Sequence, residues 1–148
     1  MINSILFVTG TRADFGKIKP LLKILKAETN IKVSILVTGM HLQMKYGRTV
    51  REVENSKLGD IYTFLNRSGN EPSELILSKS IVGISDYVQE IGPDLIVVHG
   101  DRIEAFAAAI VGNFRNILVL HIEGGEVSST IDEVMRHSIT KLSHIHCV

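Results

Sequence analysis

The chain has 148 residues, 45% hydrophobic and 22% charged, and its 16 basic and 16 acidic side chains cancel to a formal net charge of zero. That length suits one domain with a substantial core, and the composition is that of an ordinary globular protein rather than a disordered or fibrous one. A neutral chain gives no electrostatic reason to expect nucleic acid or an anionic membrane as partner, and no apolar run approaches the ~20 residues that span a bilayer.

The single cysteine, Cys147, cannot form an internal disulfide, which fits a reducing compartment. The first eight residues, Met1 to Val8, have no basic n-region and no small-residue cleavage site. They read as a first strand rather than a signal peptide, and a cytoplasmic setting is expected.

In chain order, Ser4 to Val8 is apolar and reads as a buried strand. After Thr9 to Gly16 an amphipathic helix is expected from about Lys17 to Glu28, because Pro20 suits only a first turn and so places the start near Gly16. Ile31 to Val37 is a second strand, running into Thr38-Gly39-Met40-His41, and a polar helix follows over about Gln43 to Asn55. Asp60 to Leu65 is a short strand and 66–70 a loop. A longer helix from Glu71 to about Glu90 carries Ile76, Ser80, Gly83, Ile84 and Tyr87 near one face, and Gly92-Pro93 stops it. Asp94 to His99 is another apolar strand, and Gly100-Asp101-Arg102 opens an Ala-rich helix ending near Asn113. A strand from Ile117 to His121 follows, then a helix from about Ile131 to Ser143, then the start of a last strand at His144 to Val148.

Strands alternating with helices predict an α/β fold: a Rossmann-like doubly wound parallel sheet, covered on both faces and joined by right-handed crossovers. The strands are continuously apolar, as strands buried on both faces are. No repeat, low-complexity segment or linker divides residues 1–148, and a chain stopping within a strand is expected to be one lobe of something longer.

The chemistry concentrates in residues 117–137. The strand there ends in His121, Glu123, the Gly124-Gly125 pair and Glu126. Thr130 is placed to cap a helix bearing Asp132, Glu133, Arg136 and His137, with Glu133 at the capping-box position. Titratable groups just past the carboxyl end of a strand stand where open α/β sheets hold ligands. The preceding strand ends in His99-Gly100-Asp101-Arg102-Ile103-Glu104. Asp101 can be read as a helix N-cap, the commonest job for Asp there, and Arg102 with Glu104 as a solvated pair. Beside Glu123 and Asp132, though, Asp101 makes a third carboxylate near adjacent strand ends. Carboxylates brought together raise one another's pKa and become usable as acid and base, which favours a catalytic set.

In the first strand-to-helix turn, Gly10 and Gly16 have neither the dinucleotide-binding G-x-G-x-x-G spacing nor a P-loop pattern. Arg12 and Lys17 stand at a helix entrance, where cations oppose the helix dipole unless an anion joins them, a phosphate or a carboxylate of the protein. The alternative is that both side chains reach into water. The six histidines, His41, His99, His121, His137, His144 and His146, match neither His-Glu-x-x-His nor a paired Cys-x-x-Cys metal site. A strand His-x-His does put both rings on one side, but these histidines are read as hydrogen-bonded or substrate-contacting groups, with His99 and His121 placed to orient carboxylates or substrate hydroxyls. Cys147 is read as an inert small hydrophobe in a core strand, and Met40 and Met44 as packing beside His41.

Five stretches resemble one family. They are Thr9-Gly10-Thr11-Arg12-Ala13-Asp14-Phe15-Gly16, Val37-Thr38-Gly39-Met40-His41-Leu42, His99-Gly100-Asp101-Arg102, His121-Ile122-Glu123-Gly124-Gly125-Glu126 and the run from Ile131 to His144. In order, and over nearly the whole chain, they are similar to the hydrolysing UDP-N-acetylglucosamine 2-epimerases, including the epimerase part of the bifunctional enzyme that initiates sialic acid synthesis. One departure is Ser129, where the family motif has Gly.

The resemblance implies a two-lobed glycosyltransferase-B-like fold with the active site in the cleft, residues 1–148 forming the amino-terminal lobe. It implies anti elimination of UDP across C1 and C2 to a glycal, then hydration to free N-acetylmannosamine, with no metal or other cofactor. Carried over by motif, Asp101, Glu123 and Asp132 are the implied acid/base carboxylates. Arg12 and Lys17 would contact phosphate or hold a carboxylate, while His41, Arg102, His121, Arg136 and His137 would contact the substrate. The implied partner is a UDP-sugar, either UDP-N-acetylglucosamine or UDP-N,N'-diacetylbacillosamine, whose epimerases share these motifs. The non-hydrolysing branch has Arg-Pro-Glu where this chain has Arg12-Ala13-Asp14. Relatives assemble through helices of this lobe, so a homo-oligomer is implied, through residues 43–55 or 71–90. Two further readings stay open: a non-catalytic nucleotide-sugar-binding lobe, since half a cleft excludes no water, and a B-type glycosyltransferase sharing the architecture.

Overall fold

Six strands form one sheet: β1 (Ser4–Thr9), β2 (Lys32–Val37), β3 (Asp60–Thr63), β4 (Leu95–His99), β5 (Leu118–Ile122) and β6 (Ile145–Cys147). The computed structural model describes all 148 residues. Strand order is β3-β2-β1-β4-β5-β6, and every neighbouring pair is parallel. Helices α1 (Arg12–Lys26), α2 (Val50–Ser56), α3 (Ser73–Ile91), α4 (Ile103–Phe114) and α5 (Ile131–Leu142) lie in the connections. The winding reverses between β1 and β4, and the crevice outside the carboxyl ends of strands at such a reversal is where open α/β sheets bind ligands.

This is the Rossmann-like doubly wound sheet that the alternation of elements predicts. Alternate residues of each strand serve opposite layers. Ile5 and Phe7 of β1 pack with Phe15, Ile18 and Leu22 of α1 and Val53 of α2. Leu6 and Val8 pack instead with Ile84, Tyr87 and Val88 of α3 and the alanines of α4. Both phases being buried, neither is polar. Helix α3 buries Ile76, Ser80, Gly83, Ile84 and Tyr87, as a 3.6-residue period requires.

Three local expectations are corrected. Helix α1 begins at Arg12 rather than Lys17, because Thr11 is extended and its Oγ1 accepts the Asp14 N–H at 3.2 Å, capping the first turn. Pro20 therefore sits inside the helix, and burial of Phe15, Ile18 and Leu22 outweighs its cost of about 3 kcal/mol. The polar helix over 43–55 gives way to one 3-10 turn (Met44–Tyr46) and the short α2, since Gly47 (φ 79°) and Arg48 (φ 46°) turn left-handed and interrupt it. Cys147 is exposed, because β6 is an edge strand whose three residues all face solvent.

Glu104 is a fourth correction. Rather than pairing with Arg102 in solvent, it is only 3% exposed. Its Oε1 accepts from Asn66 Nδ2 at 2.9 Å and Arg67 Nη2 at 2.8 Å. Asn66 in turn accepts the Gly39 N–H at 3.1 Å and donates to Ser80 Oγ at 2.9 Å. Gly39 is left-handed (φ 62°), and a Cβ there would stand 2.7 Å from Glu104 Oε1, so this turn admits no side chain. One buried carboxylate on α4 thus ties down the turns after β2 and β3. Glu104→Ala leaves Arg67 unpaired and should cost about 3 kcal/mol, roughly 10 °C in Tm. Arg102→Ala, at an exposed position, should stay within ~0.5 kcal/mol of the parent in urea denaturation.

Candidate active site

The turn after β1, the end of β4 and the turn after β5 meet over the reversal of the sheet. Asp14 comes from the first turn of α1 and is 7% exposed. Its Oδ2 accepts the Gly10 N–H at 3.3 Å, and its Oδ1 lies 3.3 Å from His99 Nδ1. The other ring nitrogen, His99 Nε2, lies 2.9 Å from Glu123 Oε2, and Lys17 Nζ donates to Glu123 Oε1 at 2.8 Å. Asp14, His99, Glu123 and Lys17 therefore form one continuous row across the crevice between β1 and β4. Glu123 has left-handed backbone (φ 59°), uncommon outside glycine. Its N–H bond to the Cys147 carbonyl at 2.8 Å holds it there, and such conformations cluster at functional sites.

The charges follow from these contacts. The hydrogen bond that His99 donates to Asp14 raises the His99 pKa despite burial, and Glu123 adds to the rise. Lys17 first, and His99 second, hold the Glu123 carboxyl below its usual range. The expected mutual raising of clustered carboxylates is thus overturned at Glu123, whose immediate partners are Lys17 and His99 rather than other carboxylates.

Asp101 follows β4 but does not cap α4; the N-cap residue is Arg102, without a side-chain bond. The Asp101 carboxylate instead accepts from Arg136 Nη2 of α5, and Arg136 Nη1 donates to the Glu126 carbonyl at 3.0 Å. Arg136 is 7% exposed, so it fastens Asp101 and the Glu126 loop to α5. Asp132, exposed in the first turn of α5, lines a cavity of about 130 Å³ together with Arg102 and Arg67. The capping box read at Thr130 is not formed: Thr130 makes no side-chain cap, and Glu133 Oε2 accepts the Ser128 N–H at 3.1 Å. His137 is exposed beside Gly124, Gly125 and Lys141 in an open pocket of about 290 Å³. Arg12 pairs with Glu52 at 3.1 Å, so at both cations of the α1 entrance the partner anion is a carboxylate of the protein.

Two of the histidines expected to contact substrate are sealed away from it. His41 and His121 are both 0% exposed. His41 Nε2 lies 3.0 Å from Thr9 Oγ1 and Nδ1 2.7 Å from Thr49 Oγ1. His121 Nε2 donates to the Gly100 carbonyl at 2.7 Å, and Nδ1 lies 3.1 Å from Thr140 Oγ1. With both nitrogens engaged, neither ring is free for a ligand, and burial pushes both pKa values down. Their work is positional. His121 ties the turn after β4 to α5, and Gly124 must be glycine because a Cβ would lie 2.6 Å from His121 Nδ1. His144 Nδ1 accepts the Val119 N–H at 3.1 Å, and no group of three or more His, Cys, Asp or Glu could hold a metal ion. Sequence reasoning assigns no role to Asp14, Asn66 or Arg67. For Asp14 a signal existed, the Thr11-x-x-Asp14 spacing of a helix start; for the other two there was none.

The pKa directions set a pH signature. His99, raised above 6.5, contributes stability that is complete below 6.5 and lost as pH rises through its folded value. Glu123, lowered from 4.5, contributes stability lost as pH falls through its folded value. His41 and His121, lowered from 6.5, contribute stability above 6.5 that is lost as pH falls towards their folded values. In an NMR titration of ring protons, His99 should titrate above 6.5 with His41 and His121 below it, and Asp14→Asn should bring His99 down. A His99 midpoint at or below 6.5 in the parent contradicts the bridge.

The family model for UDP-N-acetylglucosamine 2-epimerase matches residues 23–148. The chain is 49% identical over 144 residues to a UDP-N-acetylglucosamine 2-epimerase of Neisseria meningitidis serogroup B, covering 97% of this chain and 38% of that relative. It is 41% identical over 151 residues to a UDP-N,N'-diacetylbacillosamine 2-epimerase (hydrolyzing) of Legionella pneumophila, covering 100% of this chain and 40% of that one. Against the crystal structure of UDP-GlcNAc 2-epimerase from Neisseria meningitidis bound to UDP-GlcNAc it reaches a TM-score of 0.84 at 25% identity, over 97% of this chain and 39% of that chain. The chain thus spans about two fifths of the length of the relatives it matches. With its sheet order and this match in agreement, the chain belongs to the UDP-N-acetylglucosamine 2-epimerase family.

Proposed function

We propose that residues 1–148 are the amino-terminal lobe of a hydrolysing UDP-N-acetylglucosamine 2-epimerase, converting UDP-N-acetylglucosamine to N-acetylmannosamine and UDP. The observation that carries this reading is the Asp14, His99, Glu123 and Lys17 row over the crevice between β1 and β4, with Asp101 clamped by Arg136 beside it. In the first step a base takes the C2 proton, the C–H electrons form the C1=C2 double bond, and UDP departs with the C1–O pair. In the second, water adds hydroxyl to C1 and a proton to C2 from the opposite face. Both steps require placed acid and base groups, which we assign to Asp101, Glu123 and Asp132. Lys17 keeps Glu123 ionised, and His99 Nε2 lies 2.9 Å away, within hydrogen-bond reach for proton exchange. The charge developing on the departing diphosphate needs cations as well, for which Arg102 and Arg12 are the exposed candidates. This chemistry needs no metal and no nicotinamide.

The remaining grip on the nucleotide belongs to a second lobe, so residues 1–148 alone should release no UDP. The product suits sialic acid or related nonulosonate synthesis for surface polysaccharides, in a cytoplasm that keeps exposed Cys147 reduced. UDP-N,N'-diacetylbacillosamine is the second substrate reading, favoured by the 41% identical Legionella pneumophila relative. No helix is long and apolar enough to cross a membrane. The outer surface of α3 and α4 exposes Val82 at 58% and Phe114 at 84% and supports assembly of a homo-oligomer there; Phe114→Glu should shift sedimentation towards the monomer.

In the full-length polypeptide, Asp101→Asn and Glu123→Gln should each lower UDP release at least ~100-fold. In deuterated water, NMR should show deuterium at C2 of the N-acetylmannosamine formed. Near-normal UDP release by both variants removes these residues from the mechanism. Faster turnover of UDP-N,N'-diacetylbacillosamine selects the second substrate, and UDP release only with an added acceptor sugar indicates glycosyl transfer.

A further inference from the structure

Resting on the epimerase reading, we propose that Asp14 is a positioning residue of the same reaction: it holds the His99 ring so that Nε2 faces Glu123 and one proton can pass between those two groups. Asp14 Oδ1 lies 3.3 Å from one ring nitrogen, Nδ1, and Glu123 Oε2 lies 2.9 Å from the other, Nε2. The Asp14 side chain is 10% exposed and that of Glu123 39%, so an incoming sugar reaches the second and not the first. Asp14 therefore acts through the ring rather than on the substrate.

Both ends of this arrangement are fixed. The Asp14 N–H donates to Thr11 Oγ1 at 3.2 Å, and its Oδ2 accepts the Gly10 N–H at 3.3 Å. Swinging the carboxylate out to solvent would leave that Gly10 donor without its partner. His99 is the last residue of β4 and stands in register with Ile122 of β5, whose carbonyl accepts the Gly100 N–H at 2.9 Å. The sheet thus sets where the ring starts, and Asp14 sets which way it turns.

The charged groups around the ring are Asp14 and Lys17 of α1, Glu123 after β5, and His121 of β5. Lys17 is already bonded to Glu123, and burial holds the His121 pKa below 6.5. His99 and Glu123 then hold one proton between them. In one state Nε2 carries it and Glu123 is a carboxylate. In the other the N–H electron pair has stayed on Nε2 and the proton has formed an O–H bond at Glu123 Oε2. Asp14 accepts the Nδ1–H in both states. In the opposite neutral tautomer, with Nδ1 bare, Nε2 could neither accept a proton nor release one without forming imidazolate. A carboxylate that fixes a histidine tautomer serves the same purpose in hydrolytic triads.

In the full-length polypeptide, Asp14→Asn should lower kcat at least ~10-fold with KM within ~3-fold of the parent. The alkaline limb of its kcat profile should move to lower pH, because without the Asp14 carboxylate the His99 imidazolium loses its proton more readily. The double variant Asp14→Asn, His99→Gln should turn over within ~3-fold of His99→Gln alone, as when one residue works only through another. Because substitution of Asp14 can unsettle the first turn of α1, the parent supplies a measurement of its own. Nitrogen NMR of isotope-labelled histidine should show His99 Nδ1 protonated on both sides of its titration, with only Nε2 changing. An unchanged kcat, a fall in kcat with an unmoved alkaline limb, additive losses in the double variant, or an Nδ1 that gives up its proton each overturns the role of Asp14, while UDP release by the parent leaves the epimerase reading standing. If the parent releases UDP from neither UDP-N-acetylglucosamine nor UDP-N,N'-diacetylbacillosamine, that reading falls and the role of Asp14 falls with it.

Discussion

Helices cover both faces of the parallel sheet, and that burial confines polar chemistry to the strand ends. Phe7, Ile35, Leu36, Ile96 and Val98 are all sealed from solvent, so no ionisable group can be carried mid-strand without losing its hydration. At the carboxyl ends the constraint lifts. Thr9, His99 and His121 are the first polar side chains after the apolar stretches of β1, β4 and β5, and the turns beyond them carry Asp14, Asp101 and Glu123. Because the winding reverses between β1 and β4, Asp14 and His99 come from adjoining strand ends and can share a hydrogen bond across the crevice.

Around that crevice the side chains divide into those that hold and those that remain available. His41, His121, Arg136 and Glu104 are nearly or wholly buried, and each joins turns or elements that the backbone alone would leave independent. Glu123, Asp132, Arg102 and His137 are at least partly open to solvent. The division is physically reasonable: a group that must meet a substrate needs a solvated face, while a group that fixes geometry does so best where water cannot compete for its hydrogen bonds. Glu123 is the point of contact between the two sets, open to solvent yet held by Lys17 and His99 and by a left-handed backbone.

The linear pattern of residues was enough for the architecture. Apolar runs without polar phase announce strands covered on both sides, and the period of Ile76, Ser80, Gly83, Ile84 and Tyr87 announces the buried stripe of α3. It also marked strand ends where titratable side chains gather, since Asp101 and Glu123 stand just after apolar segments. It misjudged what depends on a single local bond. The Thr11 cap that starts α1 early and the left-handed pair at Gly47 and Arg48 are examples, because propensity is weaker than one well-placed hydrogen bond or steric turn.

Only the folded chain settled which side chain meets which. His99 reaches partners 85 residues before it and 24 after it, and Lys17 reaches Glu123 across 106 residues. Such pairings are dictated by the spatial order of the strands, which local pattern does not encode. For the same reason the apolar-to-polar pattern around His41, His99 and His121 looks alike along the chain, although two of the rings are buried pins and the third bridges the crevice. Periodicity reports how often a chain turns its apolar face inward; which charges become neighbours depends on where the sheet reverses, and that is a property of the assembled layers.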